Sequence, residues 1–339
     1  MKNKKVLLVN ILLLLALLLF ILLPYIANEL FRLGGSISGD ISLLLSGGTS
    51  VIVLGGIALL YCIITKRAFN KVMVIKKISI KQFFLTISVA LGTYVFAVGI
   101  NSISMKLFPV AIKDGMAITK LLSSSSLFLG LMVVVLIPAF FEEVFFRGIF
   151  LDAYEGLNKK MKYFIITAIF ATFHGNVMQI IYVMFLGFIL LKVREYTGSL
   201  VGSMILHAAN NAISFIISKA TMNYTNIVNN GTKDGIINPA QAAATADAMN
   251  ASILVVLLRA SILFLIGGTI LYINLRKLKE YKREKDGLEL INDNSTVRSE
   301  VINYNSAMVD GSILHTSKKI YIPLIIYFVF MTALVVLKY

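Results

Sequence analysis

The sequence predicts an all-α, polytopic membrane helix bundle. Three observations carry that prediction. The first is composition: of 339 residues, 58% are hydrophobic and only 14% are charged, with a mean hydropathy of +0.85. Soluble domains hold roughly 45–50% apolar and about 25% charged residues. The second is grouping, because the apolar residues fall into runs near the roughly 20 residues that a spanning helix needs. The third is the placement of basic residues, which alternates from loop to loop. Disordered chains and ordinary soluble enzymes are excluded by the first observation alone. The single cysteine, Cys62, excludes an intramolecular disulfide framework and any Cys-rich metal site.

The first apolar segment runs from about Val6 to Ile26, behind Lys2, Lys4 and Lys5. It is about twice as long as the apolar region of a signal peptide, and no small-x-small cleavage site follows, so it reads as a retained helix. Further segments lie at about 42–65, 82–105, 125–150, 162–176, 177–195, 199–218, 251–275 and 320–338. The total is nine, and the fifth is too short to cross a bilayer alone.

The net charge of +15 would suggest nucleic acid or an acidic partner in a soluble protein. Sorted by loop, it reads as a topology signal instead. The alternating loops 1–5, 66–81, 151–162, 192–198 and 276–319 hold 23 of the 32 Lys and Arg residues. The opposite set (27–41, 106–124, 219–250 and the C-terminal tip) holds 7, while Arg147 and Arg259 lie inside segments. Basic loops stay cytoplasmic, which predicts an N-terminus inside and a C-terminus outside, and no nucleic-acid partner. Loop 219–250 is nearly uncharged and reads as external, with a short helix at 239–249. Segment 276–319 begins as a basic helical extension and becomes an Asn/Ser-rich linker to the lone last helix. The chain thus divides into three N-terminal helices (1–124), a central region (125–218), an external loop and eighth helix (219–275), a basic cytoplasmic linker (276–319) and a C-terminal helix (320–339).

Ionisable groups inside spans cost about 2.5–3.5 kcal/mol each at a helix centre and point to function. Here they cluster. The fourth segment holds Glu142, Glu143 and Arg147, the fifth holds His174, and the seventh holds His207 and Asn211. Residues four apart share a helix face, so Glu143 pairs with Arg147, and His207 lies beside Asn211. Glu142 points about 100° away from Glu143 and is the carboxylate left free to act. Pro138 lacks a backbone N–H and predicts a kink about one turn before the acidic pair. Glu142 lies 16 residues before the turn near Asn158 and His174 lies 16 after it. His207 and Asn211 lie 9 and 13 residues past the turn near Gly198. At 1.5 Å per residue these depths are roughly 24 Å for the first two and roughly 14–20 Å for the others, which predicts one polar chamber in the inner half of the membrane.

A carboxylate and a histidine together can take a proton from water. A second histidine and an Asn amide can donate to a developing oxyanion. No Ser or Cys stands with both a His and a base, so attack by activated water is favoured. Two His and one Glu can alternatively hold a divalent metal such as zinc with an open position, in which case Glu142, His174 and His207 are the ligands. The His-Glu-x-x-His arrangement is absent.

Glu142-Glu143-x-x-x-Arg147, Phe170-x-x-x-His174 and His207-x-x-x-Asn211 resemble, in order, the three motifs of the CPBP (Abi, or CAAX protease and bacteriocin-processing) membrane proteases. The stretch from Phe185 through Gly187 to Leu200 resembles the family's link between its second and third motifs. The resemblance covers about residues 125–217. It implies an eight-helix protease core with an inner-leaflet site, leaving the last helix as an extra C-terminal transmembrane helix. Carried over by motif, it implies Glu142 and His174 as the activators of water, and His207 and Asn211 as the oxyanion holders. Glu143 and Arg147 take a supporting role. The implied substrate is a peptide or membrane protein in the bilayer. Bacterial relatives are linked to bacteriocin immunity and to signalling partners. An Ile-, Lys- and Asn-rich composition without Trp points to the plasma membrane of a low-GC bacterium, where prenylated substrates are not expected. Two other classes fit parts of the pattern: a non-catalytic membrane partner, and a proton-coupled transporter. The transporter is disfavoured because the polar groups cluster on one side and no repeated half is evident.

Overall fold

A computed structural model describes residues 2–32, 39–109, 125–229, 250–292 and 318–338. Among them there is no strand. Nine long helices follow the nine apolar segments: α1 (Lys2–Arg32), α2 (Asp40–Thr65), α3 (Ile80–Leu107), α4 (Leu127–Ala153), α5 (Lys159–Phe173), α6 (Val177–Thr197), α7 (Leu200–Asn229), α8 (Ile253–Asn292) and α9 (Ile322–Lys338). All except α5 are long and apolar enough to cross a membrane. The helix expected at 239–249 lies outside the described residues.

Local chemistry sets the helix ends. Ser79 and Gln82 form a reciprocal capping box that starts α3. Asn158 accepts from the Lys160 amide to start α5, and Asn176 accepts from Met178 to start α6. Gly198, at φ +66°, makes the left-handed turn between α6 and α7. The side-chain distribution is that of a protein solvated by lipid. Leu337, Ile63 and Phe128 are more than two-thirds exposed, whereas Arg147, Glu143 and Asn10 are fully buried.

Side-chain contacts bring the basic loops to one end of the bundle. Asp152, just inside the end of α4, accepts from Lys5 Nζ at 3.2 Å and Tyr61 Oη at 2.6 Å, and pairs with Arg67. Arg194 donates to the Met73 carbonyl at 3.2 Å, and Ser199 Oγ donates to the Lys76 carbonyl at 2.5 Å. Lys81 Nζ sits 4.8 Å from the Tyr281 ring centroid on the extension of α8. At the opposite end, Lys219 donates to the Ser125 carbonyl. The 40 residues of α8 run for roughly 60 Å, about twice the hydrocarbon thickness. Its basic extension carries the Arg276–Glu280 and Lys282–Asp286 pairs one turn apart.

Candidate functional site

The site begins with an irregularity in α4. Its stretches Leu131–Leu136 and Glu143–Ile149 are π-helical, and only Ile137–Glu142 between them is α-helical. Wide turns of this kind are frequent at functional sites. Pro138 has no N–H for the Val134 carbonyl four residues earlier. Asn211 supplies that donor from α7, its Nδ2 lying 3.1 Å from the Val134 oxygen. The break is thereby satisfied, and α7 is held against α4 beside the acidic pair.

Glu143 and Arg147 form the buried centre. Both side chains are 0% exposed, and Arg147 Nη1 donates to Glu143 Oε1 at 2.9 Å. The same Oε1 takes His207 Nδ1 from α7, also at 2.9 Å. Arg147 Nη2 donates to the Gly187 carbonyl on α6 at 3.3 Å, and its guanidinium lies 4.1 Å from the Phe170 ring centroid on α5. A Cβ at position 187 would meet Arg147 Nη2 at 3.4 Å and Phe170 at 3.1 Å, so glycine permits this approach. The Glu143–Arg147 pair thus ties four helices together. Neutralisation by Glu143 and the face of Phe170 makes the burial of Arg147 tolerable.

Glu142 stands at the rim of this network. Its side chain is 18% exposed, and its Oε2 is 3.9 Å from His207 Nε2. That separation is too long for a direct hydrogen bond, yet one water can touch both groups at about 2.8 Å. Glu142 Oε2, Glu143 Oε2 and Arg147 Nε are buried with no protein hydrogen-bond partner. Orphans of this kind are rare in folded proteins, and three in one chamber mark a place for water or substrate.

His174 caps the C-terminal end of α5, where its Nδ1 meets the Phe170 carbonyl at 2.9 Å. Its ring centroid is 5.1 Å from that of Phe170, and the Phe170 ring is 6.0 Å from His207. Both imidazoles therefore pack edge-on against one buried phenyl ring. Among the described residues, the imidazole within ion-pair distance of Glu142 is that of His207, not His174.

The structure thus gathers Glu142, Glu143, Arg147 and His207 in direct succession, sets Asn211 on the α4 backbone, and packs His174 against Phe170. Glu143 is more than the partner of Arg147, because it also fixes the ring of His207. No local sequence signal joins positions 64 residues apart. Glu142, His174 and His207 are not brought together as ligands. Among the described residues, no group of three or more His, Cys, Asp and Glu side chains is placed to hold a metal ion.

Comparison with known proteins agrees with the motifs. Residues 124–213, from the start of α4 into α7, match the family model described as type II CAAX prenyl endopeptidase Rce1-like. Neither a curated protein nor a solved structure matches the chain. Eight apolar helices together with this match make the chain a multi-pass membrane protein.

Proposed function

We propose that this chain, which over residues 124–213 belongs to the CPBP family, is an intramembrane endopeptidase. It hydrolyses a peptide bond of a membrane-associated protein or peptide near the end of the bundle that carries the basic loops. That end is cytoplasmic by the distribution of its Lys and Arg. The observation that carries the reading is Glu142: a partly exposed carboxylate with an orphaned oxygen, at the rim of a buried and otherwise paired network. His207 lies nine residues past Gly198, roughly 14 Å from the turn, which sets the chamber in the inner half.

Glu142 and His174 take a proton from water, and the hydroxide attacks the scissile carbonyl carbon. The carbonyl oxygen then carries the charge. Asn211 has one amide N–H on Val134 and a second to offer that oxyanion. His207 can donate from Nε2 only when both ring nitrogens carry protons, since Nδ1 already donates to Glu143. Collapse of the intermediate breaks the C–N bond, and the proton held by Glu142 passes to the leaving amine.

The 3.9 Å approach of Glu142 to His207 favours a second assignment, in which these two hold the water and His174 donates to the oxyanion. Purified protein in detergent or nanodiscs, offered candidate membrane peptides, tests both. Glu142→Ala is expected to lower kcat by about 10²–10⁴-fold with folding preserved, and His174→Ala to do the same under the first assignment. Unchanged cleavage in both variants sinks the mechanism. A loss in His207→Ala much larger than in His174→Ala selects the second assignment.

A further inference from the structure

Helix α9 lies outside the matched residues 124–213, yet it packs behind the end of α5. Its buried face is Ile320, Leu324, Tyr327 and Met331, at spacings of four, three and four. The opposite face, including Ile325, Val329 and Val336, is exposed to lipid. The helix is fastened at its start. Asn10 Nδ2 donates to the Ile320 carbonyl at 2.9 Å, and Asn10 Oδ1 accepts from Tyr154 Oη at 2.5 Å, just past α4.

Helix α5 has only 15 residues, so its C-terminal end falls within the membrane. The carbonyls of its last turn lack the usual helical donors, and those of Ala171 and Thr172 accept instead from the His174 and Gly175 amides of the turn. His174 satisfies one, at Phe170. Tyr327, fully buried, reaches the preceding turn. Its hydroxyl donates to the Ile169 carbonyl at 3.2 Å and lies 3.1 Å from Thr172 Oγ1. With the Thr172 proton on the Ala168 carbonyl at 2.8 Å, the single Tyr327 proton is shared between the Ile169 carbonyl and Thr172 Oγ1. One turn further along α9, Met331 Cε lies 4.0 Å from where a Cβ on Gly175 would stand. Gly175, at φ +58°, is the turn that follows His174. One face of α9 therefore contacts α5 at 169 and 172, just before His174, and places Met331 beside the turn at 175 that follows it.

We propose that Tyr327 is a positioning residue, whose hydroxyl holds the last turn of α5 so that His174 faces the chamber. The proposal rests on the role of His174 in the proposed reaction and deepens it, because it makes the C-terminal helix part of the site's support. The test is Tyr327→Phe in the full chain, which removes one oxygen from a buried ring. It is expected to lower kcat about tenfold or more while KM stays within about twofold, since small misplacements of a catalytic group act on the chemical step. Thr172→Val is the second variant, and covers the case in which Tyr327→Phe fails to fold. The double variant is expected to lose less than the product of the two single losses, because they share a contact. An activity-independent readout accompanies these: the rate at which diethyl pyrocarbonate modifies His174, followed by peptide mass spectrometry with His315 as internal reference. That rate is expected to change about threefold or more in Tyr327→Phe, with an unfolding midpoint like the wild type. Unchanged kcat in Tyr327→Phe, or a loss in the double variant equal to the full product, overturns the proposal. If the wild type cleaves no peptide, the protease reading falls, and an unchanged His174 modification rate then overturns the positioning role on its own.

Discussion

Glu143→Ala is the sharpest perturbation that the structure offers. Glu143 and Arg147 are both 0% exposed, and they are joined at 2.9 Å. Without the carboxylate, the guanidinium keeps only the Gly187 carbonyl at 3.3 Å and the face of Phe170. Removing one partner of a buried pair costs about 3–5 kcal/mol, because the remaining charge is uncompensated. Near the lower limit of about 2 °C per kcal/mol for larger domains, that is a fall of about 6–10 °C in unfolding midpoint. The chain carries its own reporter: Cys62 is the sole cysteine, is unpaired, and is only 7% exposed. A fluorogenic maleimide added during a thermal ramp therefore reads global unfolding. The double variant Glu143→Leu with Arg147→Met replaces the pair by apolar groups and is expected to recover most of the midpoint. Neither variant is expected to cleave peptide, because His207 loses the acceptor that orients its ring. A Glu143→Ala midpoint within about 2 °C of wild type, or a double variant as unstable as the single, would refute this reasoning.

Three further outcomes are expected. Asn211→Ala orphans the Val134 carbonyl beside Pro138, at about 1–3 kcal/mol, and Pro138→Ala added to it restores a backbone donor. Recovery of midpoint without recovery of cleavage assigns Asn211 a part in the chemistry, whereas recovery of both makes it a structural clip. Gly267→Leu forces a side chain against the α3 backbone, where even a Cβ would stand 2.7 Å from Phe96 N and 2.8 Å from the Gly92 carbonyl. Overpacking of about 1–3 kcal/mol is expected in the thermal ramp, with α3 and α8 pushed apart. For topology, Lys77→Cys in a Cys62→Ala background is expected to label only after cells are permeabilised, and Lys233→Cys in intact cells. The reverse pattern inverts the orientation and places the chamber in the outer half.

Much of the fold is legible in the sequence because a bilayer imposes length and composition on each segment separately. A run of about 20 apolar residues declares itself without reference to any other part of the chain. The shortness of the fifth segment is equally local, and in the structure it becomes a helix of 15 residues capped by His174. The grouping of basic loops is a count along the chain, and the contacts of Asp152, Arg194 and Ser199 bring several of those loops to one end. The Glu143–Arg147 pair follows from a four-residue spacing, and the two histidines stand out because ionisable groups are costly in such segments.

What the sequence by itself determined is therefore the set of helices, their alternation, and the few polar residues worth examining. Tertiary structure alone decided how those residues divide the work. It directed His207 Nδ1 to Glu143 rather than Glu142, spent one Asn211 N–H on the carbonyl exposed by Pro138, and packed both imidazoles against Phe170. It also brought Tyr327 from the far end of the chain to the helix end that carries His174. The physical reason is the same in each case. These contacts join positions 37 to 158 residues apart, and their partners are chosen by how helix faces meet. Hydropathy says only that a face is buried, and gives no indication of what it is buried against.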